Sequence, residues 1–180
     1  MPITTEHIRE TVDDYLAAYP AEKGQLAPVL SLLDAGADLT SRKEFRGHAT
    51  AGAVLVDPAY RVLHLRHLAL DRWLLPGGHV EGGDARLVDT AQRELTEETG
   101  IPASAVVLAA PDPLHVDVHR IPANDGKGEP EHQHFDFRFL FRTSAEVGEL
   151  QSEEVTAAAW RDVATITDET LRNRVTRALH

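Results

Sequence analysis

Apolar residues recur at helical spacing near the start of the chain, at Ile8, Val12, Tyr15 and Leu16 and again at Leu26, Val29, Leu30 and Leu33, before Asp34-Ala35-Gly36 closes the second run. Gly24 and Pro28 blur the start of that second helix. The pattern then shifts to strands. His48–Asp57 and Arg61–His67 are joined by Asp57-Pro58-Ala59-Tyr60, with Pro at its favoured second turn position. Trp73-Leu74-Leu75 reads as a short apolar strand ended by Pro76. Further strands are predicted at Ala105–Ala109, Leu114–Ile121 and His134–Arg142, the last two separated by a polar loop, Pro122–Pro130. In His134–Arg142 the alternation puts Phe135, Phe137, Phe139 and Phe141 on one face, which predicts core, and His134, Asp136 and Arg138 on the other. Val155–Trp160 is a last strand, and Asp168–Leu179 a closing amphipathic helix through Leu171, Val175 and Leu179.

One segment breaks the apolar pattern with chemistry. Between Gly77 and Ile101 a glycine turn, Gly77-Gly78, precedes a helix in which Val88, Ala91 and Leu95 form an apolar stripe and Glu94, Glu97 and Glu98 an acidic one. Asp84 is the expected N-cap and Gly100 the residue that ends the helix at positive φ. Like charges at i, i+3 and i+4 weaken a helix by roughly 0.2–0.5 kcal/mol per pair, so the three glutamates should meet at a cation. Hard carboxylate oxygens without any cysteine suit Mg²⁺, with Mn²⁺ second. The alternative, a solvated acidic face, leaves the ordered glycines and cap signals unexplained.

The same residues resemble the signature of the Nudix hydrolase family: a Gly, five residues, Glu, seven residues, then Arg-Glu-apolar-any-Glu-Glu-any-Gly-apolar. Gly78 opens it, Asp84 stands where Glu is usual, and Arg93, Glu94, Leu95, Glu97, Glu98, Gly100 and Ile101 match its second half. Eight residues rather than seven separate Asp84 from Arg93, an insertion at the helix entrance that leaves the 94, 97, 98 register intact. The signature covers about an eighth of the chain. The resemblance implies an α/β fold, a Nudix-like α/β/α sandwich with a mixed β-sheet. Residues 45–180 would form that domain, and residues 1–44 a helical extension packed on it. The order of strands and helices is compatible with this.

The resemblance further implies that Glu94, Glu97 and Glu98 hold the metal, with Gly77 as a candidate carbonyl ligand, and that Arg93 orients the carboxylates through Glu81 or Asp84. The bond it points to is a pyrophosphate linking a nucleoside diphosphate to another group, as in a nucleoside triphosphate, a damaged nucleotide or a nucleotide sugar. Such a bond repels an attacking water until metal ions screen the phosphoryl charge and acidify the water. One carboxylate can then act as general base, Glu98 being one candidate and the loop pair Glu153 and Glu154 another, with Glu154 preferred. Gly78, His79, Arg66 and Arg138 are the candidate substrate contacts. Trp73, His67 and Phe137 are placed to meet a base, although packing accounts for them equally.

Composition narrows the partners. A single domain fits 180 residues. A net charge of −11 and a pI near 5.3 disfavour a nucleic-acid polymer while allowing a small anionic nucleotide-like substrate. With no Cys there is no disulfide and no thiolate chemistry, and with neither a membrane-length apolar run nor a leader-like start a cytoplasmic location is the default. The missing Cys also speaks against the isopentenyl diphosphate isomerase branch of the same fold. A ligand sensor without turnover is the rival from another class, opposed by the retention of all three glutamates. The N-terminal extension is read as a packing appendage, against a lid or a homodimer contact. Finally, His115, Asp117 and His119 share one strand face and His134, Asp136 and Arg138 another. If these strands pair, three readings compete: a polar solvent-facing surface, which alternation favours, the phosphate end of the pocket, or a Zn²⁺ site.

Overall fold

The computed structural model describes residues 1–179 except Lys127, so Lys127 in the predicted Pro122–Pro130 loop and the terminal His180 lie outside the described residues. Every residue of β1 (His48–Val56) is buried, as its near-continuous run of small and branched apolar residues requires. It pairs in parallel with β7 (His132–Thr143) and antiparallel with both β2 (Val62–His67) and β4 (Gly77–His79). β2 also carries β3 (Arg72–Leu74) and β8 (Val155–Arg161), while β7 carries β5 (Val106–Leu108) and β6 (His115–Ile121). One parallel pair among antiparallel ones makes the sheet mixed. The β1–β2 turn closes as the sequence predicts, Tyr60 N–H donating to the Asp57 carbonyl at 3.0 Å.

The period-two alternation of these strands builds two cores. On one face Ala49, Ala51, Ala53 and Leu55 join the four phenylalanines of β7, each at most 2 % exposed, beneath α1 (Thr5–Ala18), α2 (Ala27–Asp34) and α3 (Leu87–Thr99). Each buried Phe contributes roughly 1.5–3 kcal/mol of transfer free energy, so this face anchors the sheet. On the other face Val54, Val56, Val62 and Leu140 pack against Leu171 and Val175 of α4 (Glu169–Ala178) and against Leu179. The layers are α/β/α.

Residues ahead of the sheet belong to the first core. Ile8, Val12, Tyr15, Leu26, Val29 and Leu33 are all buried in it. The Ile3 N–H donates to the Asp84 carbonyl at 2.9 Å, and the Leu87 N–H donates to His7 Nε2 at 3.2 Å, so the start of the chain closes over the entrance of α3. Two local features depart from the sequence pattern. Asp84 is not the N-cap of α3: the cap position is Arg86 and the helix begins at Leu87. Gly77–His79, expected as a turn, is a short strand on β1. Gly100 ends α3 at φ 66°, and a Cβ there would stand 2.6 Å from the Glu149 backbone, two reasons for glycine at one position. Among the described residues no helix is long and apolar enough to cross a membrane.

Candidate active site

β4 is the hinge of the site because a strand turns successive residues to opposite faces. Gly78 faces α3: a Cβ there would lie 2.8 Å from Oε2 of Glu94 and closer still to its other carboxylate atoms. Gly77 faces the other way, where a Cβ would meet the Cα of Gly52 at 2.7 Å and the Arg138 guanidinium at 3.3 Å. Only glycines let strand, helix and β1 approach this closely. The Gly77 N–H then donates to Oε2 of Glu98 at 3.0 Å. The preceding carbonyl, of Pro76, accepts from the Ala53 N–H at 2.9 Å and from Arg138 at 3.1 Å.

Arg93 braces the acidic stripe. Its Nε and Nη2 reach the two oxygens of Asp84 at 3.0 and 3.1 Å, Nη2 also donates to the His79 carbonyl at 2.8 Å, and Nη1 meets Glu94 at 3.1 Å and Glu97 at 3.0 Å. Glu81 is more distant, at 3.9 Å. Asp84 is 5 % exposed and also accepts from the Glu81 N–H and the Thr90 hydroxyl. Burial alone would raise its pKa, but these donors hold it below the usual carboxylate value. That is why Asp84 does not cap the helix: its oxygens are spent on Arg93 and Thr90.

Glu98 is buried and Glu94 half-buried, whereas Glu97 is exposed. Burial raises the pKa of Glu94 against the opposing pull of Arg93. Burial pushes Glu98 up to about 8, aided by the charges of Glu94 and Glu154 and opposed by the Gly77 hydrogen bond. Glu154, exposed just before β8, is thus close enough to be felt by both, whereas Glu97 turns outward to Arg93. The three glutamates share a stripe as predicted, but they do not bring their oxygens within 4.8 Å of one another, because Arg93 stands between Glu94 and Glu97. A buried and a half-buried carboxylate that repel each other, beside a third charge, are a donor set that a hard divalent cation fits.

Beyond β4 lies a cavity of about 930 Å³ whose wall includes Gly77, His79, Trp73, His134 and Arg138. Glu94, Glu97 and Glu98 are not among its lining residues; they sit behind the glycine strand, and the link between the two sides is Arg138, whose charge lowers the proton affinity of Glu98. Arg138 is ion-paired with Asp136, which accepts from Thr50 at 3.1 Å. Of the other candidate contacts, His67 lines the cavity, Phe137 is core, and Arg66 is held by Asp71 at 2.6 Å, outside the lining, with its guanidinium 6.0 Å from the Trp73 ring.

β6 and β7 do pair, His115 opposite Arg138, Asp117 opposite Asp136 and His119 opposite His134. Their polar face lines the cavity opposite α4 and the segment before it, with the Asp117 and His119 side chains still 43 % and 41 % exposed, so the solvent-facing and pocket-lining readings both describe it. His119 bonds Asp117 at 2.9 Å, which raises its pKa, while burial lowers those of His115, His79 and His134, bringing His79 to about 4. Sequence reasoning missed His48, Thr50, Gly52 and His132. The first three are the polar and glycine residues at even positions of an otherwise apolar strand, a pattern visible in the chain.

A family model for the NUDIX domain matches residues 46–179. A protein described as a probable DHNTP pyrophosphohydrolase, from Lactococcus lactis subsp. cremoris (strain MG1363), is 31 % identical over 150 residues, 81 % of this chain and 83 % of that protein. Among solved structures, the E. coli dihydroneopterin triphosphate pyrophosphohydrolase superposes with a TM-score of 0.52 at 19 % identity, over 72 % of this chain and 92 % of that one. A NUDIX-family hydrolase from Clostridium perfringens gives a TM-score of 0.54 at 21 % identity, over 73 % and 95 %. These two likenesses concern the fold. The reach of the family match, together with the Lactococcus relative, places the chain in the Nudix hydrolase family, whose reaction is cleavage of a pyrophosphate bond.

Proposed function

We propose that the substrate is the triphosphate of a dihydropterin or of a similar flat heterocycle, cleaved with Mg²⁺ held by Glu94, Glu98 and Glu97. The observation that carries the metal assignment is the pair of carboxylates, half-buried Glu94 and buried Glu98, pressed against the glycine strand. The relative of 31 % identity supports the choice of substrate. When bound, a divalent cation there would screen the phosphoryl oxygens and acidify a water. The protein's own residues then divide the work. Gly78 leaves room beside Glu94, Arg93 fixes the helix against β4, and Arg138 offers positive charge on the cavity side. Glu154, exposed beside the pair and felt by both, is suited to take a proton from water, and Glu98 is the second candidate through an oxygen not given to the metal. A ring entering the cavity would find Trp73 and the carboxylate of Asp117, an acceptor for an amino-substituted heterocycle edge.

A panel of dihydroneopterin triphosphate, nucleoside triphosphates, nucleotide sugars and dinucleoside polyphosphates, incubated with Mg²⁺ and scored by product mass, tests this. Pyrophosphate and a pterin monophosphate as the fastest products support it. Glu98→Gln should reduce turnover by about 10²- to 10⁴-fold with the fold intact. Tight binding of a phosphoanhydride with no product under any metal would make the protein a sensor and reject the proposal.

A further inference from the structure

A second cluster, chemically unlike the glutamates, lies at the other end of β4. The rings of His48, His79 and His134 stand 4.9–5.2 Å apart, and their ligand nitrogens all lie within 4.8 Å of one another. They come from three strands, β1, β4 and β7, brought together by the pairing of Thr50 with His79 and of His48 with His134. We propose that His48, His79 and His134 form a binding site for a transition-metal ion of the Zn²⁺ type, distinct from the carboxylate site and open to the cavity. The site does not depend on the choice of substrate above.

The hydrogen bonds set the protons. His48 Nδ1 is 3.2 Å from the Glu44 carbonyl, which can only accept, so Nδ1 carries the proton and Nε2 is a bare lone pair. That Nε2 is buried and has no partner in a residue only 2 % exposed, a state rarely left unexplained in a folded protein. His132 is constrained in the same way. Its Nδ1 donates to the Pro130 carbonyl at 2.8 Å, so its Nε2 accepts from His134 Nε2 at 3.2 Å, and the unprotonated nitrogen of His134 is Nδ1. Two of the three imidazoles therefore have one nitrogen anchored by an outer partner and the other bare, the arrangement found around metal-bound histidines. The third, His79, lines the cavity with His134, so the remaining coordination position opens toward whatever the cavity holds.

Size and chemistry agree. At metal–nitrogen distances of roughly 2.0–2.1 Å, tetrahedral ligands stand about 3.4 Å apart, so small ring rotations close the trio on one ion. Three neutral imidazoles suit zinc and its neighbours and suit Mg²⁺ poorly, so the two sites would not compete for one metal.

Protein prepared without a histidine tag and stripped with a chelator would be titrated with Co²⁺, a coloured stand-in for Zn²⁺, in saturating Mg²⁺. About one equivalent should bind with visible absorption of four-coordinate type, and Zn²⁺ should displace it. His134→Ala and His79→Ala should weaken binding by at least about 100-fold, and His132→Ala, which removes only the outer partner, by roughly 10- to 100-fold. Glu94→Gln and Glu98→Gln should leave it unchanged. Absence of Co²⁺ binding in Mg²⁺, or binding lost in the glutamate variants and kept in the histidine ones, overturns the site. If circular dichroism shows His134→Ala unfolded, His79→Ala at the cavity wall decides.

Discussion

At the scale of single residues, the site turns on two positions with opposite demands. Glu98 must be ionised to hold a metal, yet burial and the nearby charges of Glu94 and Glu154 keep it protonated up to about pH 8 in the metal-free protein. Mg²⁺ binding at pH 7 should therefore release a proton. Calorimetry in buffers of different ionisation enthalpy should detect close to one proton at pH 7 and little at pH 9, and Glu98→Gln should abolish the release. The stability consequence has a definite sign. A folded pKa raised above the unfolded one means a contribution fully present below about pH 4.5 and lost as pH rises through about 8, so across that window the metal-free protein should lose melting temperature relative to Glu98→Gln, which keeps the buried histidines of lowered pKa but not this titrating carboxyl. Gly78 makes the complementary demand, for space. Gly78→Ala would thrust a methyl group into the Glu94 carboxylate, the mobile end of a side chain that can swing aside. Turnover should fall by roughly tenfold or more while the melting temperature hardly moves, which a kinetic assay and a thermal scan on the same sample would check. A large loss of stability instead would mean that the strand and not the carboxylate yields.

At the scale of elements, α3 and β4 are held together by Arg93, and the pair shows what a sequence can and cannot disclose. The acidic register 94, 97, 98 is legible because helical periodicity is local: residues three and four apart must share a face whatever surrounds them. The capping role expected of Asp84 is equally local reasoning, but tertiary partners override it, since Arg93, Thr90 and the Glu81 N–H all converge on that carboxylate. β4 is hidden because Gly-Gly-His has no strand propensity of its own; its pairing with β1 makes it a strand. The histidine trio is hidden for a further reason. Positions 48, 79 and 134 meet only through sheet register, whereas alternation along neighbouring strands groups His134 with His115 and His119. Breaking the Arg93 brace has a cost at this same scale. Arg93→Ala strands the buried Asp84 without its main partner, a loss of about 3 kcal/mol or more, or roughly 6–12 °C in melting temperature for a chain of this size. The double variant Arg93→Ala with Asp84→Asn should recover part of that loss but none of the activity, as differential scanning and a turnover assay would show. Full recovery of both would make Arg93 a surface ion pair of no consequence.

At the scale of the whole molecule, the first 44 residues are built into the core that supports the site. Ile8, Val12, Tyr15, Leu26, Val29 and Leu33 lie in the same apolar cluster as the four phenylalanines of β7. His7 and Ile3 meet the entrance of α3 directly. The closing helix completes the circuit, because Arg174 pairs with Glu22, bonds the Tyr15 hydroxyl and the Leu114 carbonyl, and places its guanidinium 3.6 Å over the Tyr19 ring. Both members of the Arg174–Glu22 pair are nearly enclosed, with side chains 10 % and 14 % exposed. Removing the guanidinium would leave the Glu22 carboxylate poorly solvated and would free the middle of α4 from the extension. Arg174→Ala should therefore cost about 3 kcal/mol, again roughly 6–12 °C, while kcat measured well below the melting point stays near the parent value, since none of these groups reaches Glu94 or Glu98. Arg174→Ala with Glu22→Gln should regain part of the stability, because the stranded charge is then gone. A stable Arg174→Ala protein that had lost turnover would reverse the assignment, making this circuit part of substrate handling at the α4 end of the cavity and not a clamp on the fold.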